Sequence, residues 1–206
     1  MKIYRFQNIL CFLCFFSLFY CLFSSNSSAG QDIAFKAGDR FPNIQITGAF
    51  TLEDKKYLGL SDRKVHSLSC IRAGFILVNC FSIYCPVCQA LAVKFNQLHD
   101  LVQRDNFISR NMKMIGIGMG NNSKEIAYFK KYFNISYPLI PDSDFKIHKA
   151  LKETRTPLVV IIDKRLRPYK ILTILDFGRE PEKLIEDIRA SLPKLSWDIK
   201  KQNSHF

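Results

Sequence analysis

A run of almost wholly apolar residues, Gly74–Phe81, leads through a short polar turn into Cys85-Pro86-Val87-Cys88. An amphipathic stretch follows at once. The apolar run predicts a strand buried on both faces, as in a parallel sheet. The stretch after it predicts a helix from Pro86 to about Leu101, with Val87, Leu91, Phe95, Leu98 and Val102 as its inner face. A buried strand feeding a helix through a tight turn restricts the chain to an α/β architecture. It also puts two cysteines one turn apart where the helix begins. Unpaired N–H groups and the helix dipole favour negative charge there, so the thiolate form of Cys85 is stabilised. Cys88, one turn further on, is within reach of a mixed disulfide formed at Cys85.

The remaining elements follow the same logic. Met112–Met119 predicts a second buried strand. Gly120-Asn121-Asn122-Ser123 predicts a turn and a helix start with Ser123 as cap, and Ile126, Phe129 and Phe133 give that helix its apolar stripe. Tyr137–Ile140 predicts a short strand. Leu158–Asp163 and Tyr169–Asp176 predict a hairpin around a charged turn. Pro181 opens a last helix with Leu184, Ile185 and Ile188 inward. Phe41–Thr47 suits an edge strand, and residues 50–73 show little periodicity. The expected fold is a central mixed β-sheet flanked by helices on both faces.

The N-terminus reads as a targeting segment. Lys2 and Arg5 precede an apolar stretch from about Ile9 to Phe23, and Ser27-Ser28-Ala29 offers small residues for cleavage. The expected organisation is a secretory signal peptide over residues 1–29, one domain over 30–193 and a polar tail over 194–206. An uncleaved N-terminal membrane anchor is the alternative reading of the first segment. The bulky residues before Cys21 do not suit a lipoprotein signal. Export, to a periplasm for example, places the four cysteines beyond the leader where disulfides persist. The net charge of +12 comes from dispersed Lys and Arg. That pattern suits a solvated surface, and no nucleic-acid motif accompanies it.

The cysteines admit two other readings, the first being a static Cys85–Cys88 bridge. Cys85 and Cys88 could join Cys70 and Cys80 around zinc, but the second Cys-x-x-Cys of a zinc ribbon is missing. Cys80, in the buried strand, reads as a small hydrophobe. Cys70 lies in a loop, free or paired with Cys80. His99 reads as a surface residue of the first helix.

With motif and element order together, residues 36–192 resemble the thioredoxin superfamily, in its exported TlpA-like and redoxin branch. Leu77–Cys88 resembles that family's strand-to-active-site segment, with Tyr84 as the aromatic before the first cysteine. Thr156-Pro157, just before the strand Leu158–Asp163, resembles the family's cis-proline element. The resemblance implies that Cys85 and Cys88 are catalytic and that Tyr84, Pro86, Thr156 and Pro157 bind substrate. Asn79 stands where thioredoxins carry a buried acid, and Arg155 lies beside the cis-proline element.

The function expected is an extracytoplasmic thiol–disulfide oxidoreductase, in the reducing direction, with no cofactor and no metal site. Its expected partners are protein disulfide or thiol substrates and an upstream thiol reductant, with a membrane-embedded electron donor as one form of the latter, and no nucleic acid. A peroxiredoxin-like thiol peroxidase is the runner-up. Ser82 fits that family's pattern, while Val78 stands where its Pro belongs and Pro157 falls near the place of its Arg. A thioredoxin-fold binding module that captures metal through the same thiolates is the third reading.

Overall fold

The computed structural model describes residues 35–48 and 50–202, with side chains given as far as Leu192. The expected signal peptide lies outside the described residues. No helix among the described residues is long and apolar enough to cross a membrane.

Among the described residues the elements follow one another as β1 (Gln45–Thr47), α1 (Leu52–Leu58), β2 (Val65–Ser67) and β3 (Phe75–Phe81). Next come α2 (Pro86–Arg104), α3 (Asn106–Asn111), β4 (Met112–Met119), α4 (Ser123–Tyr132) and β5 (Leu139–Asp142). The chain closes with α5 (Lys146–Ala150), β6 (Leu158–Asp163), β7 (Lys170–Ile174) and α6 (Pro181–Gln202). A single 3₁₀ turn, Leu68–Cys70, follows β2. The central sheet has the order β5-β4-β3-β6-β7. β3 pairs in parallel with β4, and β4 with β5, whereas β6 and β7 run antiparallel. This is the mixed α/β sheet expected from the sequence.

Every residue of β3 is buried, and its side chains alternate between two cores. Phe75, Leu77 and Phe81 enter one core with Phe95, Leu98 and Val102 of α2, Ile126 and Phe129 of α4, and Leu184 and Ile188 of α6. Ile76, Val78 and Cys80 enter the other with Ile46, Leu58 of α1, Ile147 of α5 and Tyr169. Burying each large apolar side chain contributes about 1.5–3 kcal/mol. α2 is thereby pinned along the sheet with its first turn beside the end of β3.

Several expectations are corrected. Phe41–Thr47 is not an edge of the central sheet. Only Gln45–Thr47 is a strand, and it pairs with β2 in a separate two-stranded sheet. Residues 50–73 hold α1, closed by a Thr51/Asp54 capping box and by Gly59. The cap of α4 is Asn122, not Ser123: the Asn122 side chain accepts from the N–H groups of Lys124 and Glu125, and the Glu125 carboxylate accepts the Asn122 N–H. Val87 is half-exposed rather than inward, and His99 is buried at 6 % exposure rather than on the surface. Helix α6 runs on into the polar residues after 193, as far as Gln202.

Candidate active site

The site is built where β3 ends and α2 begins. Cys85 is the N-cap of α2, with extended backbone, and Pro86 occupies the first helical turn. Proline suits that position because the N–H it lacks would have no helical acceptor there. Cys85 Sγ accepts the N–H of Cys88 at 3.3 Å. Cys85 is half-buried. Cys88 is 4 % exposed and packs into the α2 core. Burial pushes its thiol well up, and the hydrogen bond with Cys85 adds to that; contacts with the Ser82 backbone and Thr156 pull weakly the other way. One thiol is thus presented and the other held back as S–H.

Thr156-Pro157 is a cis peptide, and the Thr156 carbonyl lies 3.7 Å from Cys85 Sγ, which donates to it. The residues Cys85, Cys88, Pro86 and Thr156 are therefore brought together, with Pro157 next to Thr156 in the chain. Arg155 is exposed. A second cis bond, Arg167-Pro168, had no sequence expectation attached to it.

The loop before Cys85 is fastened from two sides. Ile83 N–H donates to Asn121 Oδ1 at 3.0 Å, and Gln89 Nε2 donates to the Ile83 carbonyl at 2.6 Å. Asn121 is fully buried. It follows Gly120, whose φ of +70° and proximity to the Phe145 ring leave no room for a Cβ. Tyr84 is 68 % exposed, and its hydroxyl donates to Glu125 at the start of α4. That bond raises the Tyr84 phenol and holds the Glu125 carboxyl below its ordinary range. Neither Asn121 nor Glu125 was singled out from sequence as a site residue, although Asn122-x-x-Glu125 carries a readable capping-box pattern.

Asn79 is buried, and its Nδ2 donates to the Tyr137 hydroxyl at 3.2 Å. Burial raises the Tyr137 phenol beyond the range where it ionises. A neutral amide–phenol pair therefore occupies the position discussed for a buried acid. Cys80 is fully buried on the opposite side of the sheet from Cys88, and its thiol is raised by burial. Cys70 is an exposed free thiol, lowered by hydrogen bonds from the Ser67 backbone and side chain.

No protein-family model matches the chain. Peroxiredoxin 2 of Caldanaerobacter subterraneus subsp. tengcongensis is 26 % identical over 121 residues, 52 % of each chain. The thiol–disulfide oxidoreductase ResA of Geobacillus thermodenitrificans is 20 % identical over 108 residues, 52 % of this chain and 59 % of that protein. The chain thus spans between half and three-fifths of the length of these curated relatives. The solution structure of a candidate protein disulfide isomerase from Bacteroides thetaiotaomicron superposes with a TM-score of 0.57 at 24 % identity, covering 76 % of this chain and 90 % of that one. The fold is thioredoxin-like. The sequence relatives carry the names of a peroxiredoxin and of thiol–disulfide oxidoreductases, and the chain is similar to both.

Proposed function

We propose that this protein is a thiol–disulfide oxidoreductase acting through Cys85 and Cys88. The observation that carries the reading is the asymmetry across the first turn of α2. Cys85 sits open at the N-cap, accepting a helix N–H, while Cys88 is buried behind it with its thiol pushed up. In the reducing direction the Cys85 thiolate attacks one sulfur of a substrate disulfide. The other substrate sulfur leaves as a thiolate and takes a proton. Cys88 then loses its proton and attacks Cys85 Sγ, expelling the second substrate thiol. The substrate gains two electrons, the Cys85–Cys88 pair is oxidised, and a thiol reductant resets it. The Thr156 carbonyl beside Cys85 and the exposed Tyr84 supply the substrate-facing wall. The charged start and apolar stretch of residues 2–23 support action outside the cytoplasm, where substrates are protein disulfides.

The test is mixed-disulfide trapping in a Cys70→Ser background, which removes the one other exposed thiol among the described residues. Cys88→Ser should accumulate covalent complexes with a disulfide substrate, and Cys85→Ser should form none. Trapping by the Cys85→Ser protein instead would reverse the assignment.

The peroxiredoxin relative favours thiol peroxidase activity as a second reading. Its chemistry needs donors arranged to stabilise the breaking O–O bond. Val78 in the middle of β3 stands where a peroxidase would place its Pro, and Pro157, next to Thr156 in the chain, falls near the place of its Arg. Peroxide consumption should therefore be slow beside disulfide exchange. Rapid formation of a sulfenic acid at Cys85 with turnover by added thiol would promote this second reading to first.

A further inference from the structure

Tyr84 precedes Cys85 in the chain, and its hydroxyl reaches Glu125, so the redox loop touches the first turn of α4. From Glu125 the helix presents Tyr128 and Tyr132 at spacings of three and four residues, which is one face of an α-helix. The adjoining face carries Ile126 and Phe129 into the core. Tyr128 and Tyr132 are 66 % and 68 % exposed. Single exposed tyrosines need no explanation. These two differ in being fixed and in being continuous with the redox loop. Their rings stack with centroids 5.8 Å apart and planes at 22°. Tyr132 also packs edge-on against Phe133 at 4.8 Å, and Phe133 rests on the core and on Phe129. Rings held in this way lose little freedom when a partner covers them, which is what makes aromatic anchors efficient.

The unpaired charge on this face of α4 is basic. Lys124 and Lys131 are exposed beside the tyrosines and form no ion pair among the described residues. The one carboxylate on this face, Glu125, is already engaged by Tyr84 and by the Asn122 N–H. From Glu125 to Tyr132 the helix advances about 10 Å, the reach of roughly three residues of extended chain.

Resting on the thiol–disulfide reading above, we propose that the Tyr128–Tyr132 face of α4 is a docking surface for polypeptide substrates, taking an extended segment with apolar and acidic side chains next to the disulfide to be exchanged. The apolar side chains lie against the stacked rings and the acidic ones meet Lys124 and Lys131. Small disulfides reach Cys85 without touching this face, so substrate size is discriminated there and not at the thiols.

The experiment compares wild type with Tyr128→Ser/Tyr132→Ser and Lys124→Glu/Lys131→Glu proteins. Three oxidised substrates are used: a peptide whose cystine is flanked by Leu and Glu, the same peptide with Lys for Glu, and hydroxyethyl disulfide. The tyrosine variant should lose about tenfold or more in kcat/KM on the Leu/Glu peptide, the scale of a binding hot spot. Its rate on hydroxyethyl disulfide should stay within about twofold of wild type. The lysine variant should reverse the preference between the two peptides. Equal losses on peptide and small disulfide, or no loss on either, overturns the docking surface while leaving Cys85 and Cys88 as the redox pair. A wild-type dimer that the tyrosine variant dissolves also overturns it, assigning the face to a second copy of the chain. Failure of the wild type on all three substrates removes the redox reading itself.

Discussion

His99 shows how one buried side chain ties stability to pH. Its Nδ1 lies 2.9 Å from the Ser136 hydroxyl, and its ring sits 5.7 Å from both the Tyr57 and Tyr137 rings. Burial lowers its affinity for a proton; Asp100 opposes this, and Lys113 and Lys130 reinforce it. The folded chain therefore keeps His99 neutral when an unfolded chain would charge it. Above the ordinary value of 6.5 both states are neutral and nothing is lost. Below it the unfolded state binds a proton that the folded state refuses, so stability falls as pH drops from 6.5 toward the folded-state value. Urea midpoints should accordingly decline between pH 7.5 and about 5.5, before most carboxylates titrate. His99→Gln should flatten that slope while Ser136 keeps a hydrogen-bonding neighbour. An unchanged slope in the variant would show that another group sets it.

At the scale of elements, the redox loop depends on a contact supplied from across the sheet. Asn121 accepts the Ile83 N–H, and its own carbonyl accepts the N–H of Asp142 at the end of β5. Asn121→Ala leaves the Ile83 donor unpaired beside a cavity, which costs about 1–3 kcal/mol. We expect a lower denaturation midpoint together with slower disulfide exchange, since the loop that aims Cys85 loses one of its two fasteners. Gln89→Ala, removing the exposed fastener, should cost less. The long elements were legible because their apolar runs are strong: β4 and β6 match theirs residue for residue, and β3 begins one residue after the expected Gly74. In α2 the expected Phe95, Leu98 and Val102 are buried and Leu91 packs against the core, whereas Val87 falls outside the buried face and Cys88, Ala92 and His99 complete it. α1 carries no such line. Leu52 is 78 % exposed and Leu58 is its one fully buried apolar residue, so its signal lies in the caps Thr51 and Gly59 and not in a stripe. β1, β2 and α5 are too short for any period to register.

Across the whole described domain, the sheet divides the interior in two, and β3 supplies both halves. Its central place between β4 and β6 was not readable, because several equally apolar strands offer no local mark of which pairs with which. The pairing of cysteine, helix start and cis-proline could be anticipated since it lies in two short motifs. Asn121 and Glu125 could not, because their importance arises from the packing of α4 against the redox loop. The alternation of β3 has one more effect. Cys88 lies in one core and Cys80 in the other, with the hydrogen-bonded backbone of the sheet between them. On the proposed redox reading, an oxidising equivalent held as a Cys85–Cys88 disulfide cannot pass to Cys80 unless the strand itself comes apart. The sheet then acts as an insulator around a single terminal, and exchange runs on the Cys85 side alone.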